Sequence, residues 1–100
     1  MKVSIIITVF NREEFIARSI RSCLSQTMAR NEYEVIVVND GSTDKTEDVI
    51  DSFGDEIRKI SYKKNMGLAH ASNMGIKAAK SKYVVRVDSD DYIHEDLIKI

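Results

Sequence analysis

Residues 3–10, VSIIITVF, form a nearly unbroken run of β-branched and aromatic side chains. A strand with one face in water alternates apolar and polar residues, whereas this pattern belongs to a strand covered on both faces, as in the parallel sheets of α/β proteins. The rest of the chain is read around it. Asn11 three residues before Glu14 is a capping-box variant, and Phe15, Ile16, Ile20, Cys23 and Leu24 follow at helical spacing, which predicts a first helix. Tyr33 to Val38 (YEVIVV) predicts a second strand, closed by the turn signal Asn39-Asp40-Gly41-Ser42. Asp44 with Glu47 caps a second predicted helix carrying Val49, Ile50 and Phe53, with Gly54 at its end. A short third strand, Ile57 to Tyr62, leads through Lys63-Lys64-Asn65 to Gly67. A helix then shows a narrow face of Leu68, Ser72, Gly75, Ile76 and Ala79, small enough to require close approach to the sheet. Tyr83 to Val87 predicts strand four, running into Asp88-Ser89-Asp90-Asp91-Tyr92, and His94 to Ile100 opens a further helix.

The order β-α-β-α-β-α-β-α implies a parallel sheet with right-handed crossovers and helices on both faces. In a doubly wound sheet, strands one and four lie side by side, and the chain reverses between them to leave a crevice at the carboxyl ends. The polar residues gather there: Asn11 follows strand one, Asp40 strand two, and Asp88, Asp90 and Asp91 strand four.

Length and charge narrow the function. One hundred residues suit a single domain with one core. A balance of 15 basic against 16 acidic side chains gives no electrostatic case for nucleic acid or an anionic membrane surface. No apolar run reaches the roughly 18 residues that a membrane span needs, and Met1-Lys2-Val3 enters a strand pattern without a signal-peptide layout, so the expectation is a cytoplasmic protein. The single cysteine, Cys23, excludes an internal disulfide, and with His70 and His94 it does not make a structural zinc site.

Three carboxylates within four positions at a strand end repel one another unless a cation neutralises them. Hard oxygen ligands favour Mg2+ or Mn2+, whose shell is commonly completed by water and substrate phosphates, so a diphosphate is the natural third party. The plain alternative is a solvated turn that caps the next helix. Asp40 can accept a hydrogen bond from a nucleobase imide N–H, or simply make turn bonds, and Gly41 beside it lets a ligand approach the backbone. Phe10 at the mouth of strand one can stack on a base or belong to the core, and Thr8 shares its side of the strand. Lys63 and Lys64 read as solvated surface, Arg86 as a sheet-edge or ion-pairing group, and Cys23 and the methionines as packing.

Four ordered stretches resemble family 2 glycosyltransferases with the GT-A fold, across essentially the whole chain. Val3 to Asn11 resembles an opening "VSIIIPxYN" strand and Val37 to Asp44 a "VVDDGSxD" segment. Asn65-Met66-Gly67-Leu68-Ala69 with Ala71 to Gly75 resembles "NxGxxxAxNxG", and Val87 to Asp91 resembles "DxDD". The resemblance implies the nucleotide-binding, Rossmann-like N-terminal half of a GT-A domain and a nucleotide-diphospho-sugar donor, UDP-sugar first among them. It also implies a glycan or lipid-linked acceptor in the complete enzyme. Phe10 and Asp40 would lie near the base. Asp90 is the expected metal ligand, with Asp88 holding ribose or helping the metal and Asp91 assisting either. Thr8, Asn11 and Asn73 match motif positions around the donor. Thr8 replaces a frequent proline and Phe10 a frequent tyrosine, so stacking survives but a phenolic hydrogen bond does not. The family's acceptor half and catalytic Asp or Glu lie beyond the aspartate motif, and the chain stops at Ile100 without a C-cap. The expectation is therefore a fragment, residues 1–100 of a longer domain, inactive alone and part of a protein at the cytoplasmic membrane face or in the cytoplasm.

Three other folds or roles compete with this reading. A haloacid-dehalogenase-like phosphatase also places D-x-D after a strand, but early in the chain with Thr or Val following, whereas here the motif comes late and Asp91-Tyr92 follow. A phosphoacceptor receiver domain needs its acidic pair after strand one, where this chain has Asn11-Arg12. A non-catalytic nucleotide-binding or interaction module with the same fold stands as the alternative.

Overall fold

The structure, a computed structural model, describes residues 2–88. Asp90, Asp91 and the helix expected from His94 lie outside the described residues. Strand β1 (Val3–Val9) is buried at every position and has a parallel neighbour on each side. These are β2 (Tyr33–Asp40) and β4 (Tyr83–Asp88), and β3 (Arg58–Tyr62) pairs with the far side of β2, giving the order β3-β2-β1-β4. Helices α1 (Ile16–Leu24), α2 (Thr46–Asp51) and α3 (Leu68–Ala78) make the connections. The chain moves outward through β2 and β3, then returns over the sheet to lay β4 beside β1, as the doubly wound reading expects.

Both faces are covered, which explains the apolar run. Val3, Ile5, Ile7 and Val9 of β1 point one way, into a cluster with Ile16, Ile20 and Cys23 of α1 and Ile50 of α2. Ile6 points the other way and meets Ile36, Val38 and Ala71 of α3. Each fully buried Ile or Val contributes about 1.5–3 kcal/mol relative to an exposed one. Cys23 is part of this packing, and burial pushes its thiol up to about 12, so it remains an uncharged core group. Gly75 lets α3 come close: a Cβ there would lie 2.5 Å from Cγ2 of Ile6.

Three local expectations change. Asn11 does not cap α1, which begins at Ile16 after Phe15 and Ile16 donate to the Arg12 carbonyl. Asn11 instead adopts a left-handed φ of 53°, and its Oδ1 accepts from the amides of Thr43 at 2.8 Å and Asp44 at 3.3 Å. A partner about thirty residues away thus outcompetes the local cap. At α2 the N-cap is Lys45, without a side-chain cap bond; Asp44 stands one residue earlier and accepts from the Thr46 amide at 2.9 Å, while the Glu47 carboxylate accepts from Asn39 and Ser61. On α3 the buried face is Ala71, Ser72 and Gly75, while Leu68 and Ile76 are each 52% exposed. The helix lies so close to the sheet that small side chains fill the centre of the contact, with Met74 at its margin and Leu68 and Ile76 turned outward.

Candidate functional site

Strand phase decides which side chains reach the carboxyl edge on the α3 side. Thr8 is the register partner of both Val38 and Asp88, and Asp40 lies two residues beyond Val38, so Thr8, Asp40 and Asp88 share one face. They line a cleft of about 480 Å³ together with Phe10, which extends just past the end of β1. The structure therefore brings together four of the expected site residues from the ends of three adjacent strands. Phe10 is 43% exposed, so its ring is available to a ligand and is not core. Asp88 is exposed at the rim, and its carbonyl accepts from Ser19 of α1.

The remaining expected residues are placed differently. Asn11 flanks the cleft and serves as a loop clasp, with its own amide donating to Ser42 Oγ at 3.0 Å. Asn73 is exposed on α3 and is not among the cleft-lining residues. Among the described residues no three His, Cys, Asp or Glu side chains gather as a metal-binding group, and the expected ligand Asp90 lies outside them. Lys63 and Lys64 are exposed, and Arg86, also exposed, donates to Ser72 Oγ at 3.1 Å.

The far wall of the cleft comes from residues that the strand-end rule does not reveal: Asn65, Gly67, Leu68 and Ala71, where the chain enters α3. Asp40 holds this wall in place. It is buried at 4% exposure; its Oδ1 accepts from the Met66 amide at 2.8 Å, and its Oδ2 accepts from the Gly67 amide and Asn65 Nδ2, both at 3.0 Å. Gly41 completes the junction, with a φ of +73°. A Cβ at Gly41 would stand 2.4 Å from the Asn65 nitrogen, so the space beside this glycine is filled by the protein's own backbone and not by a ligand. The N-x-G spacing of residues 65–67 was the available signal for this wall.

Arg12 also lines the cleft and was not anticipated. Its amide donates to Thr46 Oγ1 at 3.0 Å, tying the loop after β1 to the start of α2 and leaving an exposed guanidinium at the cleft. Among the described residues no Lys or Arg forms an ion pair with Asp40 or Asp88. The cleft thus combines two carboxylates, one guanidinium, an exposed aromatic ring and a glycine-bearing loop, a donor set suited to a polar, phosphorylated ligand with a flat ring.

Comparison with known proteins agrees with this geometry. Residues 4–100 match the family described as Glycosyl transferase family 2, and the chain belongs to that family. It is 42% identical over 97 residues to the poly(ribitol-phosphate) beta-N-acetylglucosaminyltransferase TarP of Staphylococcus aureus (strain N315), covering 94% of this chain and 30% of TarP. Among solved structures, S. aureus TarS 1-349 in complex with UDP-GlcNAc superposes with a TM-score of 0.88 at 33% identity, over 95% of this chain and 28% of that one. The mannosyltransferase PcManGT from Pyrobaculum calidifontis, in complex with GDP-Man and Mn2+, gives a TM-score of 0.81 at 26% identity over 89% and 27%. The fold is therefore the Rossmann-like parallel sheet of the GT-A enzymes. The first curated relatives are much longer proteins, of which this chain spans 14% to 30%. No helix among the described residues is long and apolar enough to cross a membrane.

Proposed function

We propose that this chain is the donor-binding part of a sugar transferase, taking a nucleotide-diphospho-sugar, UDP-sugar first, with Mg2+ or Mn2+. The observation that carries the reading is the convergence of Thr8, Phe10, Asp40 and Asp88 on one cleft from three neighbouring strand ends. Two structural neighbours hold a nucleotide-sugar, and one of these also holds Mn2+.

Each residue has a chemical task in this reading. Phe10 stacks on the base, and a lone pair of Asp40 accepts its imide N–H. Thr8 and Asn73 are donor-side polar groups, and Asn11 holds the loop that frames the site. Asp88 bonds the ribose or helps hold the metal, with Asp90 as main metal ligand and Asp91 assisting. Exposed carboxylate oxygens fit a hard divalent cation, and when bound the ion would neutralise charge on the departing diphosphate. Arg12, which also lines the cleft, offers a positive charge to the diphosphate. In the complete enzyme an acceptor hydroxyl, on a glycan or a lipid-linked sugar, attacks the anomeric carbon. The bond to the diphosphate breaks, configuration inverts, and the hydroxyl proton passes to a carboxylate supplied elsewhere in that enzyme.

Calorimetric titration with UDP and Mn2+ tests this. Binding that requires the metal, and weakens at least about tenfold in Asp88→Asn while the unfolding temperature holds, is the expected result. A folded protein giving no metal-dependent heat overturns the reading. Indifference to Asp88→Asn would favour the non-catalytic module.

A further inference from the structure

Tyr62 is a half-buried titratable group, its hydroxyl turned inward, that the proposed chemistry does not use. It is the register partner of Asp40 across β2 and β3, so the two side chains leave the sheet on the same face, side by side. Its hydroxyl is shut off from solvent and makes no hydrogen bond of full geometry among the described residues. Buried polar groups are rarely left unpaired, and exceptions in native proteins tend to mark a functional role. The ring is held from the α3 side: His70 meets it edge-on, with centroids 5.4 Å apart and planes at 88°. Burial first, and then the close approach of the Asp40 carboxylate as a hydrogen-bond partner and as a charge, raise the phenol above its ordinary range, so it keeps its proton and remains a donor at neutral pH.

Asp40 has a complementary vacancy. A carboxylate offers about four lone-pair sites, and the protein fills three of them, two on Oδ2 and one on Oδ1. A base imide reaching Oδ1 would find a carboxylate fixed on the 65–67 side by three donors, with the Tyr62 hydroxyl as its neighbour on the β3 side. We propose that Tyr62 is a positioning residue for base recognition: its buried hydroxyl backs the Asp40 carboxylate and holds Oδ1 in the direction that meets the base. This rests on the donor-site reading above and adds to it a residue outside the cleft, acting only through Asp40.

The test compares UDP with inorganic pyrophosphate, each titrated with Mn2+ into wild-type protein and Tyr62→Phe. Phenylalanine keeps the ring and its contact with His70. The expected result is a loss of about fivefold in UDP affinity, the size of one hydrogen bond to a charged group or less, with pyrophosphate affinity and unfolding temperature unchanged. Equal weakening for both ligands, no change for UDP, or failure of Tyr62→Phe to fold each overturns the inference, since the hydroxyl would then be structural or idle. Wild-type protein that binds neither ligand overturns the donor-site reading itself, and that is seen before any variant is made.

Discussion

Strand β2 carries two buried carboxylates on the same face, Glu34 near its amino end and Asp40 at its carboxyl end, and the protein treats them in opposite ways. Glu34 accepts from Ser4 Oγ at 2.6 Å, from the Lys80 amide at 2.8 Å and from Arg58 Nη1 at 2.7 Å, so its charge is paired and its lone pairs are spent inside the fold. Asp40 also accepts three hydrogen bonds, but all from neutral groups, and it opens onto a cleft. At the amino end a carboxylate stitches β1, β2, β3 and the segment after α3 together. At the carboxyl end one builds a wall and keeps a charge for a ligand. This polarity follows from the parallel topology, because all four strands end on the same side and only that side has loops free to vary.

The comparison can be broken most forcefully at Gly41. An alanine there must adopt a left-handed φ and drive its Cβ into the backbone of Lys64 and Asn65, so Gly41→Ala should lose more than about 3 kcal/mol in a urea unfolding series, or fail to fold. A loss under 1 kcal/mol would mean that the wall at residues 64–67 is not held where the cleft needs it.

Glu34 provides the next largest effect and sharpens the contrast. Glu34→Ala should cost about 2 kcal/mol, a figure discounted because Arg58 is half exposed, and leave UDP affinity unchanged once the protein is folded. Its pH behaviour has a defined sign. Burial acts to raise the Glu34 carboxyl, but the bonds from Ser4, Lys80 and Arg58 outweigh it and hold the group below the ordinary glutamate range. The folded state therefore binds this proton less tightly than the unfolded one. The stabilisation is present above the unfolded value of about 4.3 and is lost as pH falls through the lower folded value. Below about pH 4, unfolding free energy measured against pH should fall more steeply in wild type than in Glu34→Gln. Parallel slopes would remove Glu34 from the account.

The smallest expected effect lies between the two ends of the argument. Asn11→Ala deprives the Thr43 and Asp44 amides of their acceptor at an exposed loop, for a loss of about 1 kcal/mol and a modest weakening of UDP binding through the Arg12 loop. A calorimetric comparison with wild type checks both parts.

The same contrast explains what could be read from the chain without coordinates. Strand number, parallel order and the adjacency of β1 and β4 were legible because apolar runs report burial on both faces and right-handed crossovers leave few topologies. Thr8, Phe10, Asp40 and Asp88 were legible because strand ends are marked by a change from apolar to polar residues. Asn11 was misread as a cap because its partners lie about thirty residues away, and local spacing carries no information about them. The α3 face was legible in part: Ser72 and Gly75 pack on the sheet as read, but hydrophobicity drew in Leu68 and Ile76, which are exposed, where close approach to Ile6 selects Ala71. Asn65 carried a motif signal but no role, and Arg12 carried neither, because both reach the cleft from loops whose course depends on the packing of the helices. The clasp of Asp40 on residues 65–67 likewise has no signature in either segment alone.

The most direct test of this division of labour is an amide chemical-shift map of the protein titrated with UDP and Mg2+. The account predicts shifts concentrated at Thr8, Phe10, Asp40, Asn65, Gly67 and Asp88, with Ser4, Glu34, Arg58 and Lys80 unmoved. Shifts centred on the Glu34 end, or none at the cleft in a sample that binds UDP, would contradict it.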